Sequence, residues 1–93
     1  MKHLIIFNGA AGEGTAIEHK PNIEYSFHEL DYEVHVTKES GEATSFLREY
    51  LKNYKEPVRV YSCGGDGTLY DCVNGIVGFD NVELACYAIG TGN

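Results

Sequence analysis

The hydrophobic positions of the chain fall into short continuous runs and into longer stretches with helical spacing. Four apolar runs have the length of buried strands, and they cover residues 4–7, 33–37, 58–62 and 84–89. In the second run, Val34 and Val36 alternate with polar residues, which places both valines on one face of a strand. The pattern therefore predicts four strands.

Three stretches between these runs have apolar residues three and four positions apart, as on one side of an α-helix. The first helix begins at Pro21 and Asn22. For the second helix we predict Ser40 as the N-cap and Pro57 as the residue that stops the pattern. The apolar stripes consist of Ile23, Phe27 and Leu30 in the first helix, Ala43, Phe46, Leu47, Tyr50, Leu51 and Tyr54 in the second, and Leu69, Cys72, Val73, Ile76 and Val77 in the third.

The regular alternation of strands and helices predicts an α/β fold, an open parallel sheet of about four strands with helices on both faces. Ligands of such sheets bind beyond the carboxyl ends of the strands, and three of the predicted strands run into glycine-rich turns there. If these turns reach one ligand, their strands are neighbours, and right-handed crossovers place the second strand at the outer edge. The predicted order is 2-1-3-4, with 3-2-1-4 as the alternative.

The strongest indication of function is Gly64-Gly65-Asp66-Gly67-Thr68, between a predicted strand and a predicted helix. Glycines let the backbone approach a phosphate closely, N–H groups at a helix start point at the anion, and Thr68 adds a hydroxyl donor. The alternative is a structural turn in which Asp66 caps the helix. Beside a phosphate, the Asp66 carboxylate would need Mg²⁺, a nucleotide hydroxyl or its own backbone as partner, and the sequence does not choose among them.

Two other segments and one threonine at the same edge are weaker indications. Residues 8–14 and 90–93 are typical either of a backbone-lined pocket or of ordinary turns. Thr37 ends the second strand, where a threonine is usually a strand-end hydrogen bonder. No lysine stands in a glycine loop, which excludes a P-loop of the GxxxxGK[ST] type, and the dinucleotide spacing is absent from the first turn.

Composition and charge narrow the classes of function. The chain has 93 residues, enough for one small domain, and a formal charge of −7 without clustered Lys or Arg, which excludes nucleic acid as a main partner. Cys63, Cys72 and Cys86 lack metal or disulfide spacing, so we expect buried free thiols, and the scattered histidines make a zinc site improbable. Without a signal peptide or a spanning segment of ~20 apolar residues, we expect a soluble, cytoplasmic protein.

Residues 64–69, in their strand-to-helix context, resemble the catalytic-domain signature of diacylglycerol kinases, which bacterial lipid kinases and sphingosine kinases share. Residues 8–14 resemble the first loop of that family, Thr37 matches the threonine that closes its second strand, and residues 88–93 resemble its GTGN motif. The resemblance covers the whole chain. It implies the N-terminal domain of the NAD kinase/diacylglycerol kinase-like fold, with ATP and Mg²⁺ in the cleft and transfer of the γ-phosphate to a lipid hydroxyl such as that of diacylglycerol.

By resemblance, the nucleotide-binding residues are Asn8, Gly12, Thr37, Gly64, Gly65, Asp66, Gly67, Thr68, Gly90, Thr91, Gly92 and Asn93. Asp66 is also the candidate for a catalytic or Mg²⁺-binding carboxylate. The sequence departs from the family where Gly9 and Ala88 replace prolines and where Tyr70-Asp71 replaces Asn-Glu. Glu13 replaces a frequent lysine, which removes a cation near the phosphates and adds an anion.

The relatives extend far beyond residue 93, and their second, β-rich domain carries the lipid site and, by resemblance, the catalytic base. We therefore expect residues 1–93 to be a truncated nucleotide-binding domain that transfers no phosphate and binds ATP with a Kd around millimolar. We also expect Gly65→Val to abolish nucleotide binding while leaving the fold largely intact.

Two alternative functions stay open at this point. One is a kinase of a soluble acceptor, as NAD kinases are, and the other is a non-catalytic nucleotide-binding domain that kept the fold. The acceptor, the catalytic base and the oligomeric state, a homodimer included, are not readable from these residues.

Overall fold

The computed structural model describes residues 1–8, 18 and 20–87 of the chain. Within them, four strands alternate with three helices. The strands are β1 (Lys2–Asn8), β2 (Tyr32–Thr37), β3 (Val58–Cys63) and β4 (Val82–Tyr87), and the helices are α1 (Lys20–Ser26), α2 (Glu42–Asn53) and α3 (Asp66–Ile76). The α/β architecture predicted from the sequence is confirmed.

The four strands form one parallel sheet in the order β2-β1-β3-β4. This is the predicted order 2-1-3-4. Strand β1 lies between β2 and β3, so that His3 faces Tyr32 on one side and Arg59 on the other. Because all strands are parallel, the carboxyl ends of β1, β2 and β3 meet at one edge of the sheet.

The central strand β1 supplies residues to two hydrophobic cores, one on each face of the sheet. Leu4 and Ile6 pack in the core beneath α2 and α3, whereas Ile5 and Phe7 pack in the core beneath α1. All four side chains are essentially inaccessible to solvent. Burial on both faces explains why this strand is a continuous apolar run rather than an alternating one.

Helix α2 buries the predicted stripe but begins differently from the prediction. Ala43, Leu47 and Leu51 are buried against the sheet. The predicted N-cap Ser40 is wrong: the cap is Gly41, at φ 85° and without a side-chain cap bond. Glycine adopts this left-handed conformation without the steric cost that a side chain imposes.

Helix α3 is rotated relative to the stripe predicted from its apolar residues. Its buried residues are Thr68, Cys72 and Gly75, whereas Val73 and Val77 of the predicted stripe are 45% and 62% exposed. The cause is a close helix–helix contact at Gly75.

Gly75 sets the distance between α2 and α3. A Cβ at this position would lie 2.8 Å from Leu47 Cβ and 3.3 Å from Thr44 Cα. A residue without a side chain therefore occupies the centre of the interface, where hydrophobic periodicity gives no signal.

Two smaller differences concern the ends of the chain's elements. Helix α1 ends at Ser26, so Leu30 lies beyond it and is 47% exposed, although Phe27 remains buried in the turn. Strand β4 begins at Val82, two residues before the predicted start, and its predicted end at Ile89 lies outside the described residues.

Cys86 is exposed, so the expectation of three buried thiols is wrong for this one.

Candidate functional site

A cleft of about 160 Å³ opens at the carboxyl edge of the sheet. It lies between the ends of β1 and β2, the turn that leads into α2, and the first turns of α3. Its lining residues are Asn8, Thr37, Lys38, Glu39, Ser40, Ala43, Gly67, Thr68 and Asp71. The cleft thus occupies the place where open parallel sheets bind their ligands.

Thr68 lines this cleft and carries an unsatisfied buried polar atom. The residue is only 4% exposed, and its Oγ1 is buried without a hydrogen-bond partner among the residues that the structure describes. An unsatisfied buried polar group costs about 1–3 kcal/mol. A ligand oxygen within reach of this hydroxyl would offset that cost, so the cleft favours a ligand with polar oxygens.

The two glycines before α3 differ in what surrounds them. A Cβ on Gly64 would lie 2.5 Å from Thr68 Oγ1 and 3.3 Å from Asn8 Cβ, whereas a Cβ on Gly65 would meet nothing within 4 Å. Gly64 therefore allows the close approach of β1 and α3 beside the cleft. Gly65 faces open space, which is where a bound ligand would have to lie if the loop contacts it.

The start of α3 leaves backbone donors uncapped by any side chain. Gly65 is the N-cap, in an extended conformation with φ −97°, and no side chain makes a cap bond. Asp66 is the first residue of the helix and is exposed, so its predicted alternative role as the cap is wrong. Uncapped N–H groups together with the helix dipole favour an anion at this end.

Asp71 joins the two helices that form one wall of the cleft. Its Oδ2 accepts a hydrogen bond of 2.9 Å from the N–H of Gly41, and its carbonyl oxygen accepts one of 2.7 Å from Thr44 Oγ1. The N-terminal turn of α2 is thereby fixed to the second turn of α3.

Glu42 holds the turn that precedes α2. Its Oε1 accepts hydrogen bonds from the backbone N–H groups of Lys38 and Glu39, at 2.9 and 3.3 Å. The bond from Lys38 is the main cause of the lowered pKa of the Glu42 carboxyl. Glu42 thus reaches back from the first residue of the helix and stabilises the preceding turn, but it does not cap the N–H groups of the helix itself.

The structure brings together only part of the predicted site. Asn8, Thr37, Gly67 and Thr68 line one cleft, and Gly64 adjoins it through Thr68 and Asn8. Gly65 and Asp66 lie at the adjacent start of α3 and are exposed. The remaining predicted residues, Gly12, Gly90, Thr91, Gly92 and Asn93, lie outside the described part of the chain, as do Gly9, Glu13 and Ala88.

Three charged residues of the cleft, Lys38, Glu39 and Asp71, were not predicted from the sequence. Lys38 follows the last residue of β2, and Asp71 lies one turn beyond Gly67 on α3. The sequence predicted no phosphate-binding cation outside the glycine loops. The usable signal for Lys38 was its position directly after Thr37, at the carboxyl edge of the sheet.

The described residues contain no group of three His, Cys, Asp or Glu side chains arranged to hold a metal ion. Asp66 and Asp71 are carboxylates near the cleft, and Asp71 already accepts a backbone hydrogen bond. As for spanning segments, the described helices include none that is long and apolar enough to cross a membrane.

Comparison with known proteins identifies the family. Residues 2–93 match the diacylglycerol kinase catalytic domain. The chain belongs to this family. A diacylglycerol kinase of Bacillus subtilis (strain 168) is 32% identical over 92 residues, which are 96% of this chain and 30% of that protein.

Solved structures of diacylglycerol kinases from Bacillus anthracis str. Sterne share the fold. Two of them have TM-scores of 0.69 and 0.68 at 32% identity, and each covers 97% of this chain. The match covers 33% and 31% of those chains. The chain thus spans about a third of the length of the diacylglycerol kinases that it matches.

Proposed function

We propose that this chain is the nucleotide-binding part of an ATP-dependent lipid kinase, which transfers the γ-phosphate of ATP to a lipid hydroxyl such as that of diacylglycerol. Membership of the diacylglycerol kinase family supports the reaction class. The lipid is bound by a further part of the protein, since the described cleft is small. The protein acts as a kinase only when nucleotide and acceptor are held together.

The observation that carries the proposal is the buried, unpartnered hydroxyl of Thr68 in a cleft at the carboxyl edge of the sheet. The uncapped N-terminus of α3 adds oriented N–H groups at the same place. Both features suit a phosphate. The volume of about 160 Å³ is below the ~300–1,000 Å³ of sites that enclose whole drug-sized ligands. The described residues therefore surround the phosphates rather than the complete nucleotide.

The predicted binding residues enter the proposal with distinct roles. Thr68 donates its hydroxyl to a phosphate oxygen, while Gly65 and Gly67 leave the space that the phosphate occupies. Asn8 and Thr37 form the floor of the cleft at the ends of their strands. Mg²⁺, bound through the phosphates, supplies charge neutralisation, and Asp66 is the exposed carboxylate nearest to the start of α3 that is free to face it.

A calorimetric titration with Mg-ATP tests the binding half of the proposal. The wild-type chain should bind with a Kd around millimolar, because its cleft offers few cations to a ligand with about four negative charges. Gly65→Val should abolish binding and keep the circular dichroism spectrum, since the position has a negative φ and open space around it. Unchanged affinity in this variant would show that the loop is only a turn.

Phosphotransfer assays of the full-length protein test the catalytic half. The panel of acceptors should include two lipids, diacylglycerol and a sphingoid base, and a soluble acceptor such as NAD. Transfer to a lipid supports the proposal, and transfer to NAD alone would instead identify a kinase of a soluble acceptor. Nucleotide binding without transfer to any acceptor would indicate a non-catalytic domain.

A further inference from the structure

Lys38 lines the cleft, and its ammonium group forms no ion pair with a described carboxylate. The residue is exposed and lines the cleft together with Thr37 and Thr68. All seven Lys and Arg residues of the chain lie in the described segments, and no other one lines this cleft. Lys2, Lys20 and Arg59 form ion pairs, whereas Lys38 forms none with a described residue.

The backbone of Lys38 is held in place by hydrogen bonds in the turn that precedes α2. Its N–H donates to Glu42 Oε1 at 2.9 Å, and the adjoining turn is tied to α3 through the bond from Gly41 to Asp71. The side chain therefore extends from a fixed point at the mouth of the cleft. A fixed starting point reduces the entropy lost when a flexible lysine binds a ligand.

The other charged groups of the cleft are acidic. Glu39 and Asp71 line it, and the Glu42 carboxylate is near enough to Lys38 for the lysine charge to contribute to the lowered pKa of Glu42. A phosphate entering the cleft thus meets two carboxylates and one ammonium group. Without the ammonium group, a phosphate would meet no full positive charge among the described residues, only the helix N-terminus and the Thr68 hydroxyl, which makes the affinity for phosphate sensitive to this lysine.

We propose that Lys38 binds a phosphate group of the nucleotide, and so supplies the positive charge that the glycine loops lack. The inference rests on the proposed function, because it concerns the same cleft. It assigns the ligand contact to the residue that follows β2 rather than to a loop lysine. The recognised chemistry is a polyphosphate, whether or not a nucleoside is attached.

The test compares Lys38→Met with Lys52→Met. Both variants remove one positive charge, but Lys52 lies in the last turn of α2, roughly 15 Å along the helix axis from the cleft end of this helix. Titrations monitored by NMR, at a fixed ionic strength of about 0.15 M where charges more than about 8 Å apart are largely screened, use Mg-ATP and tripolyphosphate as ligands. Lys38→Met should weaken both by about tenfold or more, Lys52→Met by less than about twofold, and Lys38→Arg should retain most of the affinity.

The outcomes separate this inference from the proposal on which it rests. If the wild-type chain binds neither ligand, the proposed function fails and this inference fails with it. If the wild-type chain binds and Lys38→Met binds equally well, the lysine contact alone is overturned. Equal weakening by both Lys→Met variants would overturn it as well, because net charge would then explain the effect. Since Lys38 is exposed, its variants should keep the wild-type circular dichroism spectrum.

Discussion

Replacing Gly64 or Gly65 by alanine tests whether the packing of β1 against α3 has the tightness described here. The two residues are adjacent, and each substitution adds one methyl group. Gly64→Ala would place its Cβ 2.5 Å from Thr68 Oγ1, 3.0 Å from Thr68 Cβ and 3.3 Å from Asn8 Cβ. Gly65→Ala would place its Cβ in open space. We therefore expect Gly64→Ala to destabilise the chain and Gly65→Ala to leave its stability nearly unchanged.

The magnitude follows from what can move. Favourable contacts between carbon atoms lie at about 3.5–4.0 Å, so the contact at Gly64 is short by roughly half an ångström or more. Rotation of Thr68 about χ1 would move its hydroxyl but not its Cβ, and the side chain is buried. Overpacking of this kind costs about 1–3 kcal/mol. Gly65 has a φ of −97°, which alanine adopts without strain, so its substitution should change stability by less than about 0.5 kcal/mol.

Urea unfolding followed by circular dichroism measures both values in the same experiment. For a domain of this size, each kcal/mol corresponds to roughly 4–8 °C in Tm, so thermal unfolding provides a second measurement. Equal stability of Gly64→Ala and Gly65→Ala would refute the steric argument at Gly64. A loss confined to Gly65→Ala would refute the account of the loop altogether.

Three further predictions concern other parts of the molecule. Gly75→Ala should destabilise the chain by up to about 2 kcal/mol in urea unfolding, because overpacking against Leu47 outweighs a gain of about 1 kcal/mol in helix propensity; a more stable variant would contradict the interface described here. In the native chain at about pH 8, a disulfide reagent should modify the exposed Cys86 quickly. It should modify Cys63 and Cys72 only on unfolding, because burial raises the pKa of these thiols to about 12 and about 11, and fast modification of all three would contradict their burial.

The last of the three predictions concerns pH. The folded pKa of Glu42 is lowered from its ordinary value of 4.5, so its contribution to stability is present above that value and is lost as the pH falls toward the folded pKa. Between about pH 6 and about pH 3, Glu42→Gln should therefore lose less stability than the wild-type chain; parallel losses would contradict the role of its backbone hydrogen bonds.

The sequence predicted those features that hydrophobic spacing or glycine placement records directly. The runs in β1 and β3, the stripe of α2 and the strand order all follow from burial and from the need of the loops to share an edge. The orientation of α3 was not predictable in this way, because its closest contact is made by Gly75, which has no side chain. The Gly41 cap was missed because Ser40 is the better cap by side-chain chemistry, whereas the turn requires a left-handed residue.

The sequence predicted some of the residues that line the cleft and missed others. Thr37 and Thr68 follow from their positions at a strand end and a helix start. Lys38 was missed although it directly follows Thr37, and Asp71 could be assigned to the cleft only once the turn before α2 was placed against α3. That contact joins residues 30 positions apart, and no local pattern records it.

The central position of β1 has a consequence for how the chain folds. The first strand of the sequence pairs with β2, about 30 residues later, and with β3, about 56 residues later, since His3 faces Tyr32 and Lys2 faces Val58. Such long closures slow folding. During synthesis from the N-terminus, β1 has one edge without a partner until β3 emerges. The cleft needs Thr68 as well, so a ligand of this cleft cannot stabilise an intermediate in which α3 has not yet formed.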